Sequence, residues 1–436
     1  MTNHSAHRPR GKPLGTPELI AIALGGMIGG GIFTILGISV EMIGSLTPIA
    51  IIIGGALASL AAYSYVKLAL YYKDEGATYS FFKRTFTDHP FAASLIGWFT
   101  IFGYISTLAL YAYTFSSYAI SGSGISDSEW LRKGIAGSII ALFALVNIWS
   151  VKGMGKLEDI MVYSKLLILA IIAFVLINNS NTSLPELLPK TQDATLLTVL
   201  IVAAVTFVAF EGFQLVILAI KEIDQPEKKI PRAIYTSIAL ATLIYVVIAL
   251  GTIMAIPFED IIRDKEHALA AGANNAIGHW GTELVIAGAL LATSSAISGT
   301  LFGASRLMSV IARDGYFPAT FTKQNSHSPI HAIICLALLA FFLILIGGLQ
   351  LILEFGSITF LIVSLLMAYA NFKIRHKTDS SLSLTLLAIA GLGVGTLLIF
   401  YFEFHNNPQQ LLFIATIYVV LTAASWLYSK NRSTSR

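Results

Sequence analysis

LGGMIGGGIFTILG, Leu24–Gly37, contradicts itself. It lies within an apolar run from Leu19 to Val40, and about 20 such residues suffice to cross a bilayer as a helix. Yet Gly25, Gly26, Gly29, Gly30 and Gly31 stand at its centre, and glycine costs roughly 1 kcal/mol relative to alanine in a helix interior. Lipid offers no partner for a freed N–H or C=O, so unwound backbone at that depth persists only where protein buries it or a cavity receives it. The stretch therefore predicts two half-helices meeting at a site. A second reading stays open from these residues alone: the glycines as a close-packing face for a neighbouring span. Three consecutive glycines exceed what packing requires.

The chain around it is of one kind. Of 436 residues, 56% are hydrophobic and 12% charged, where a soluble domain carries about 25% charge. This predicts an all-α integral membrane protein in contact with the lipid bilayer. Hydropathy places twelve spans near 17–39, 45–68, 90–120, 134–151, 157–178, 195–220, 232–256, 282–310, 329–347, 350–371, 382–402 and 410–428. With the N-terminus inside, 22 of the 28 Lys and Arg fall in inner segments, five in outer ones, and Lys165 within a span. That asymmetry satisfies the positive-inside rule. It predicts a multi-pass protein of the cell (inner or plasma) membrane with cytoplasmic tails at 1–16 and 429–436. The basic start, MTNHSAHRPRGK, lacks a short apolar core with a cleavage site, so no removable signal peptide is expected.

Several classes drop out. The lone Cys335 excludes a disulfide framework, and no spacing among the nine histidines suggests a metal site. No strand precedes the glycine run and no GK[ST] occurs, which removes a nucleotide-binding loop. No cofactor, nucleic-acid partner or nucleophile–base arrangement is expected, so the chain does not read as an enzyme. The inner loop LYYKDEGATYSFFKRTF predicts an amphipathic helix in the membrane interface, and EHALAAGANNAIG predicts a short helix over the outer mouth. Asn178 and Asn181 stand in N-x-S sequons on the outside.

A second interruption matches the first. The sixth span, Leu196–Ile220, carries Glu211-Gly212, a carboxylate beside a helix breaker, at its middle. Spans one and six correspond if the chain repeats after five helices, and an odd number of spans inverts one copy relative to the other. The expected units are 17–178, 195–371 and two further helices over 382–428. Paired broken segments in inverted halves point to a transport site near the bilayer midplane. A half-helix N-terminus suits a carboxylate, and the carbonyls ending another half-helix suit an ammonium or a cation. Both ends in one site fit a zwitterion, an amino acid, and glycine lets the ligand approach the backbone closely.

Four stretches carry a resemblance. MIGGGIF (Met27–Phe33) resembles the first-helix segment of the amino acid–polyamine–organocation (APC) transporters. FVAFEGFQ (Phe207–Gln214) is similar to their sixth-helix break, and EIDQPEKKIPRAI (Glu222–Ile234) to the loop that follows it. SRLMSVIARDGYFP (Ser305–Pro318) resembles a further signature, with Ser309 replacing an aromatic residue and Ile311 a Met or Leu. The four stand in family order over Leu14–Pro318. The resemblance implies a five-plus-five inverted repeat with two extra C-terminal helices, helices 1 and 6 broken, and alternating access. It implies substrate carboxylate binding at Gly29, Gly30 and Gly31, with the carbonyls of Met27 and Ile28 nearby. The carbonyls of Val208, Ala209 and Phe210 would take the ammonium, and Phe207 and Phe210 would cover the ligand.

Two charges remain. Lys165, in MVYSKLLILAII, lies deep in span five; such a lysine faces protein or water, or snorkels to an interface. The resemblance to proton-coupled members implies that Lys165 stands where sodium-coupled relatives bind a cation, with Ser294 and Ser295 as neighbouring hydroxyls and the proton as coupling ion. Glu211 reads a substrate amino group, carries a proton, or caps a half-helix. Glu354, Arg306 and Arg313 are expected at membrane edges, and the span-three aromatics, Tyr111 among them, in packing or an interface belt. The reading is a secondary transporter of amino acids, by proton symport; the alternatives are an amino acid or polyamine exchanger, or a transporter-like nutrient sensor.

Overall fold

The computed structural model describes residues 14–434 apart from 75, 122–127, 150, 181–193, 264–266 and 324–328. The tail up to Pro13, the sequon at Asn181 and the charges at Lys190 and Lys265 lie outside the described residues. Among the described residues the chain is helical with no strand; an isolated parallel bridge joins Leu14 to Ile223. Among the described residues, ten helices are long and apolar enough to cross a membrane, and Thr16–Met27 and Ile330–Ile346 are shorter apolar ones.

The first part comprises α1 (Thr16–Met27), α2 (Gly31–Ile43), α3 (Thr47–Tyr72), α4 (Ala77–Thr85), α5 (Pro90–Ile120), α6 (Glu129–Trp149) and α7 (Val151–Asn178). Next come α8 (Leu196–Val205), a 3-10 stretch (Thr206–Gln214), α9 (Leu215–Leu218) and α10 (Pro226–Ala255). The chain closes with α11 (Phe258–Arg263), α12 (Ala268–Ile277), α13 (His279–Arg313), α14 (Ile330–Ile346), α15 (Leu349–Lys373), α16 (Leu382–Asn406) and α17 (Pro408–Thr434). Proline in the first turn of α1, α3, α5 and α10 sets φ where no N–H is needed. Thr195 caps α8 by accepting from Thr198 N–H at 3.2 Å.

Burial ranks the helices. In the most apolar window of α5, 83% of residues are buried, against 17% in α17, so α5 runs through the centre and α17 along the rim. The exposed apolar side chains of α17, such as Leu412 and Val419, are what a lipid-facing helix requires. The structure departs from expectation at α4. Its Tyr79, Phe81 and Phe82 are buried against protein rather than laid in the membrane interface. Tyr79 donates to Asp314 Oδ2 at 2.7 Å and Phe81 stacks on Tyr72 at 5.9 Å. Aromatic faces gain more from these rings and acceptors than from headgroups. The alanine-rich segment forms α12, with Leu269, Ala270 and Ala273 buried.

Candidate functional site

The α-helix opened by Thr16 stops at Met27 and resumes at Gly31. A helix end leaves its last carbonyls without N–H partners, and here they can be followed one by one. Leu24 O accepts from Ile28 N–H at 2.9 Å. Gly25 O accepts from Lys165 Nζ at 2.9 Å, and Gly26 O from Tyr111 Oη at 3.1 Å. Met27 O accepts from Tyr245 Oη at 2.6 Å, and Ile28 O from Lys165 Nζ at 2.6 Å. Side chains from α5, α7 and α10 thus replace the missing turn. On the other side, the first helical N–H of α2 to reach a carbonyl is that of Thr34, bonded to Gly30 at 3.1 Å. The amides before it end in a helix N-terminus, with its partial positive charge.

Lys165 stands at the middle of α7 and is 0% exposed. It does not snorkel. Its third recorded acceptor is Ser295 Oγ of α13, at 2.9 Å. Ser294 is half-buried beside it in sequence. One ammonium therefore joins α7, α13 and the carbonyl end of α1.

The glycines admit close neighbours here. A Cβ on Gly29 would lie 2.7 Å from Tyr111 Cε1 and from Ala296 Cβ, and one on Gly30 2.8 Å from Thr114 Oγ1. Thr114 in turn meets Thr34 Oγ1 at 2.8 Å. Both original readings of the glycine run thus apply in this conformation: the backbone is interrupted, and its glycines are packed.

The sixth segment differs from expectation. Its α-helix is interrupted, but the backbone tightens into the 3-10 stretch instead of opening. Val208, Ala209 and Phe210 lie inside i→i+3 hydrogen bonding, so their carbonyls are not bare. Gly212 explains why: it sits against the backbone of Gly26 and Met27, and a continuous coil keeps it there. Phe207 and Phe210 are fully buried, and Phe210 lies 5.4 Å from the Tyr245 ring. Tyr245 Oη lies 3.1 Å from Ala209 O and so bridges the two interrupted segments. Tyr245→Phe removes both contacts. It should cost about 1–3 kcal/mol, the usual penalty for stranding buried acceptors, read as a lower thermal midpoint in detergent; an unchanged midpoint would mean other donors replace it.

Glu211 is 4% exposed. Gln214 Nε2 donates to one of its oxygens, and Ser364 Oγ lies 3.4 Å from the other. Thr78 Oγ1 donates to Gln214 Oε1 at 3.2 Å, and Tyr65 Oη meets Ser364 Oγ at 3.4 Å. A polar chain from α4 to α3 and α15 thus passes through Glu211, and side chains rather than helix-end amides are its recorded partners. Glu354 stands near the start of α15, but it is 2% exposed and so packed among helices instead of facing water. Arg306 lies over the Phe302 ring at 3.2 Å, and Arg313 is exposed at the end of α13.

One end of the bundle is basic and tied across. Lys83 pairs with Asp314 at 2.6 Å and Lys73 with Glu227 at 2.6 Å. Leu14 N–H donates to Glu222 O at 3.0 Å, and Lys229 Nζ to Leu14 O at 3.1 Å. The Lys229 hydrogen bond also holds the Asp224 carboxyl below its usual range. Exposed pairs of this kind contribute about 0–1 kcal/mol each, so they select which segments meet more than they hold the fold.

Residues 14–435 match the model of the amino acid permease family. The chain belongs to that family. An uncharacterized protein of Methanocaldococcus jannaschii is 27% identical over 94% of each chain. The inner membrane transport protein YbaT of Escherichia coli is 28% identical over 86% of this chain and 87% of its own. The branched-chain amino acid permease BcaP of Bacillus subtilis is 26% identical over 72% of this chain and 70% of its own. The permease is a transporter rather than an enzyme. Its first two motif stretches face each other through Met27 and Gly212, while EIDQPEKKIPRAI and SRLMSVIARDGYFP supply Asp224, Lys229 and Asp314 to the basic end. Ser309, where the motif departs, is buried with its hydroxyl unpartnered among the described residues.

Sequence reasoning missed Tyr111, Thr114 and Tyr245. The Tyr111 and Tyr245 hydroxyls differ from packing aromatics only in the carbonyls of distant segments that they reach, and Thr114 only in meeting the Thr34 hydroxyl of α2.

Proposed function

We propose that the permease moves an amino acid across the cell membrane by alternating access, with a proton as coupling ion and Lys165 as the group that carries it. The carrying observation is Lys165 Nζ bonded at once to Gly25 O, Ile28 O and Ser295 Oγ. An ammonium has three donors for these acceptors. A neutral amine has two, so loss of the proton releases an acceptor at the α1–α2 interruption. Binding or loss of a proton on α7 thereby biases the position of α1. The amides opening α2 suit the substrate carboxylate, and Gly29, Gly30 and Gly31 let it approach. The packing of these glycines against Tyr111, Thr114 and Ala296 requires α1–α2 to part from α5 and α13 before a ligand enters. Similarity to BcaP, a branched-chain amino acid permease, supports amino acids as the substrate class.

The same reading takes the repeats as 17–178 and 195–371, related by inversion, and places both termini and the basic end in the cytoplasm. Uptake into proteoliposomes tests it. An inward acid gradient should drive accumulation of amino acid into vesicles without internal substrate. Uptake that needs internal amino acid and ignores the gradient would establish exchange instead.

A further inference from the structure

Two carboxyl groups meet away from this site, at the end of the bundle opposite the basic one. Glu354 lies near the start of α15 and Glu403 near the end of α16, 2% and 0% exposed. Gln350 Nε2 donates to Glu354 Oε1 at 2.7 Å. Glu354 Oε2 and both oxygens of Glu403 have no hydrogen-bond partner among the described residues, although the two carboxyls are within reach of one another. Ionised carboxylates only accept hydrogen bonds, so two of them face to face leave these buried oxygens empty and repel each other. A single proton supplies the missing donor.

We propose that Glu354 and Glu403 form a second proton-binding site, in which one proton is held between the two carboxyls and ties α15 to α16. Among the described residues, no cation from the packed elements competes for this role. The outer halves of α3 and α14 and the whole of α8 carry no titratable side chain. From α5, Tyr104 packs on Phe360, Tyr111 is bound to Gly26 O, Tyr113 to Arg132, and Tyr118 packs on Phe33. From α17, Tyr418 meets Thr359 Oγ1; Glu211 of the 3-10 stretch is held by Gln214 and Ser364. On α16 itself, Tyr401 and His405 stack on each other, exposed. At the basic end, α4 directs Tyr79 and Lys83 to Asp314. Nearby Lys133 is engaged by Glu129 and Leu345 O.

The site has a route to the transport machinery. Ser357 Oγ of α15 donates to Val205 O at 2.7 Å, where the 3-10 stretch begins, and Ser364 holds Glu211. The proton therefore decides how firmly the helix that supports the sixth segment is held to the rim. With the proton bound, the tie is present; as pH rises and the proton leaves, two negative charges face each other and the tie is lost.

Infrared spectroscopy of the purified protein in lipid tests this directly. A carboxylic-acid C=O band that shifts in D2O should be present in the wild type and in Lys165→Ala, and lost in Glu354→Gln/Glu403→Gln. Survival in Lys165→Ala separates this site from the transport proton. The single isosteric change Glu403→Gln, whose amide can donate to Glu354, covers the case in which the double variant fails to fold. It should abolish the fall of the thermal midpoint with rising pH that is expected of the wild type. Parallel falls in both proteins, or a band unaffected by either substitution, would overturn the assignment. So would a rise in midpoint on adding sodium or calcium chloride that Glu403→Gln removes, because the ligand would then be a metal ion.

Discussion

Lys165→Ala should abolish the response of uptake to an acid gradient while leaving the protein able to bind substrate. The side chain donates to the carbonyls of Gly25 and Ile28 and is 0% exposed. Each stranded acceptor costs about 1–3 kcal/mol, and the truncation adds a cavity. A lower thermal midpoint is therefore expected alongside the functional loss, and Lys165→Met, which fills the space, should recover part of the midpoint and none of the pH response. Gradient-driven accumulation should fall at least tenfold, corresponding to about 1.4 kcal/mol, whereas the thermal shift produced by bound amino acid should persist. A variant that retains the wild-type dependence on external pH would remove Lys165 from coupling and return it to a structural role.

Gly212→Ala should be the most damaging single methyl in the molecule. An ideal Cβ there falls 2.2 Å from Met27 N and 2.3 Å from Gly26 C, and both obstacles are backbone. Neither can rotate away. Overpacking of a close contact costs about 1–3 kcal/mol where side chains can yield, so the upper end is the minimum expected here. The two interrupted segments must separate, and Tyr245 can no longer reach both Met27 O and Ala209 O. Uptake and the yield of monodisperse protein should both collapse. Gly393→Ala, in α16 with nothing within 4 Å of the added Cβ, is the matched control and should be neutral or stabilising by up to about 1 kcal/mol. Equal behaviour of the two variants would show that the segments are not in register through Gly212.

Much of the site was legible before any coordinates. Helix-breaking glycines in a lipid-length run have few physical outlets, so the interruption after Met27 follows from residue types alone. A lysine that deep in an apolar span had two outlets, an interior partner or snorkelling to an interface, and packing decided between them. Glu211-Gly212 misled because a Gly beside a carboxylate reads equally as a break and as a contact point. Only the proximity of Gly26 distinguishes them, and that is a property of two segments together. Glu354 misled because a lone glutamate near a span end normally faces water; its partner Glu403 is 49 positions away.

What the chain determined by itself was its solvent and its weak points: a bilayer, the helices to fill it, and the place where one of them must stop. Hydropathy and backbone hydrogen bonding act locally, and a window of about 20 residues carries them. Which donors finish the broken helix was decided only by folding. Lys165, Tyr111 and Tyr245 come from three different helices, and their hydrogen atoms find Gly25, Gly26, Met27 and Ile28 because packing brings those helices within 3.1 Å of the same carbonyls. Hydrogen bonds reach no farther than that, so no pattern along the sequence can encode them one residue at a time.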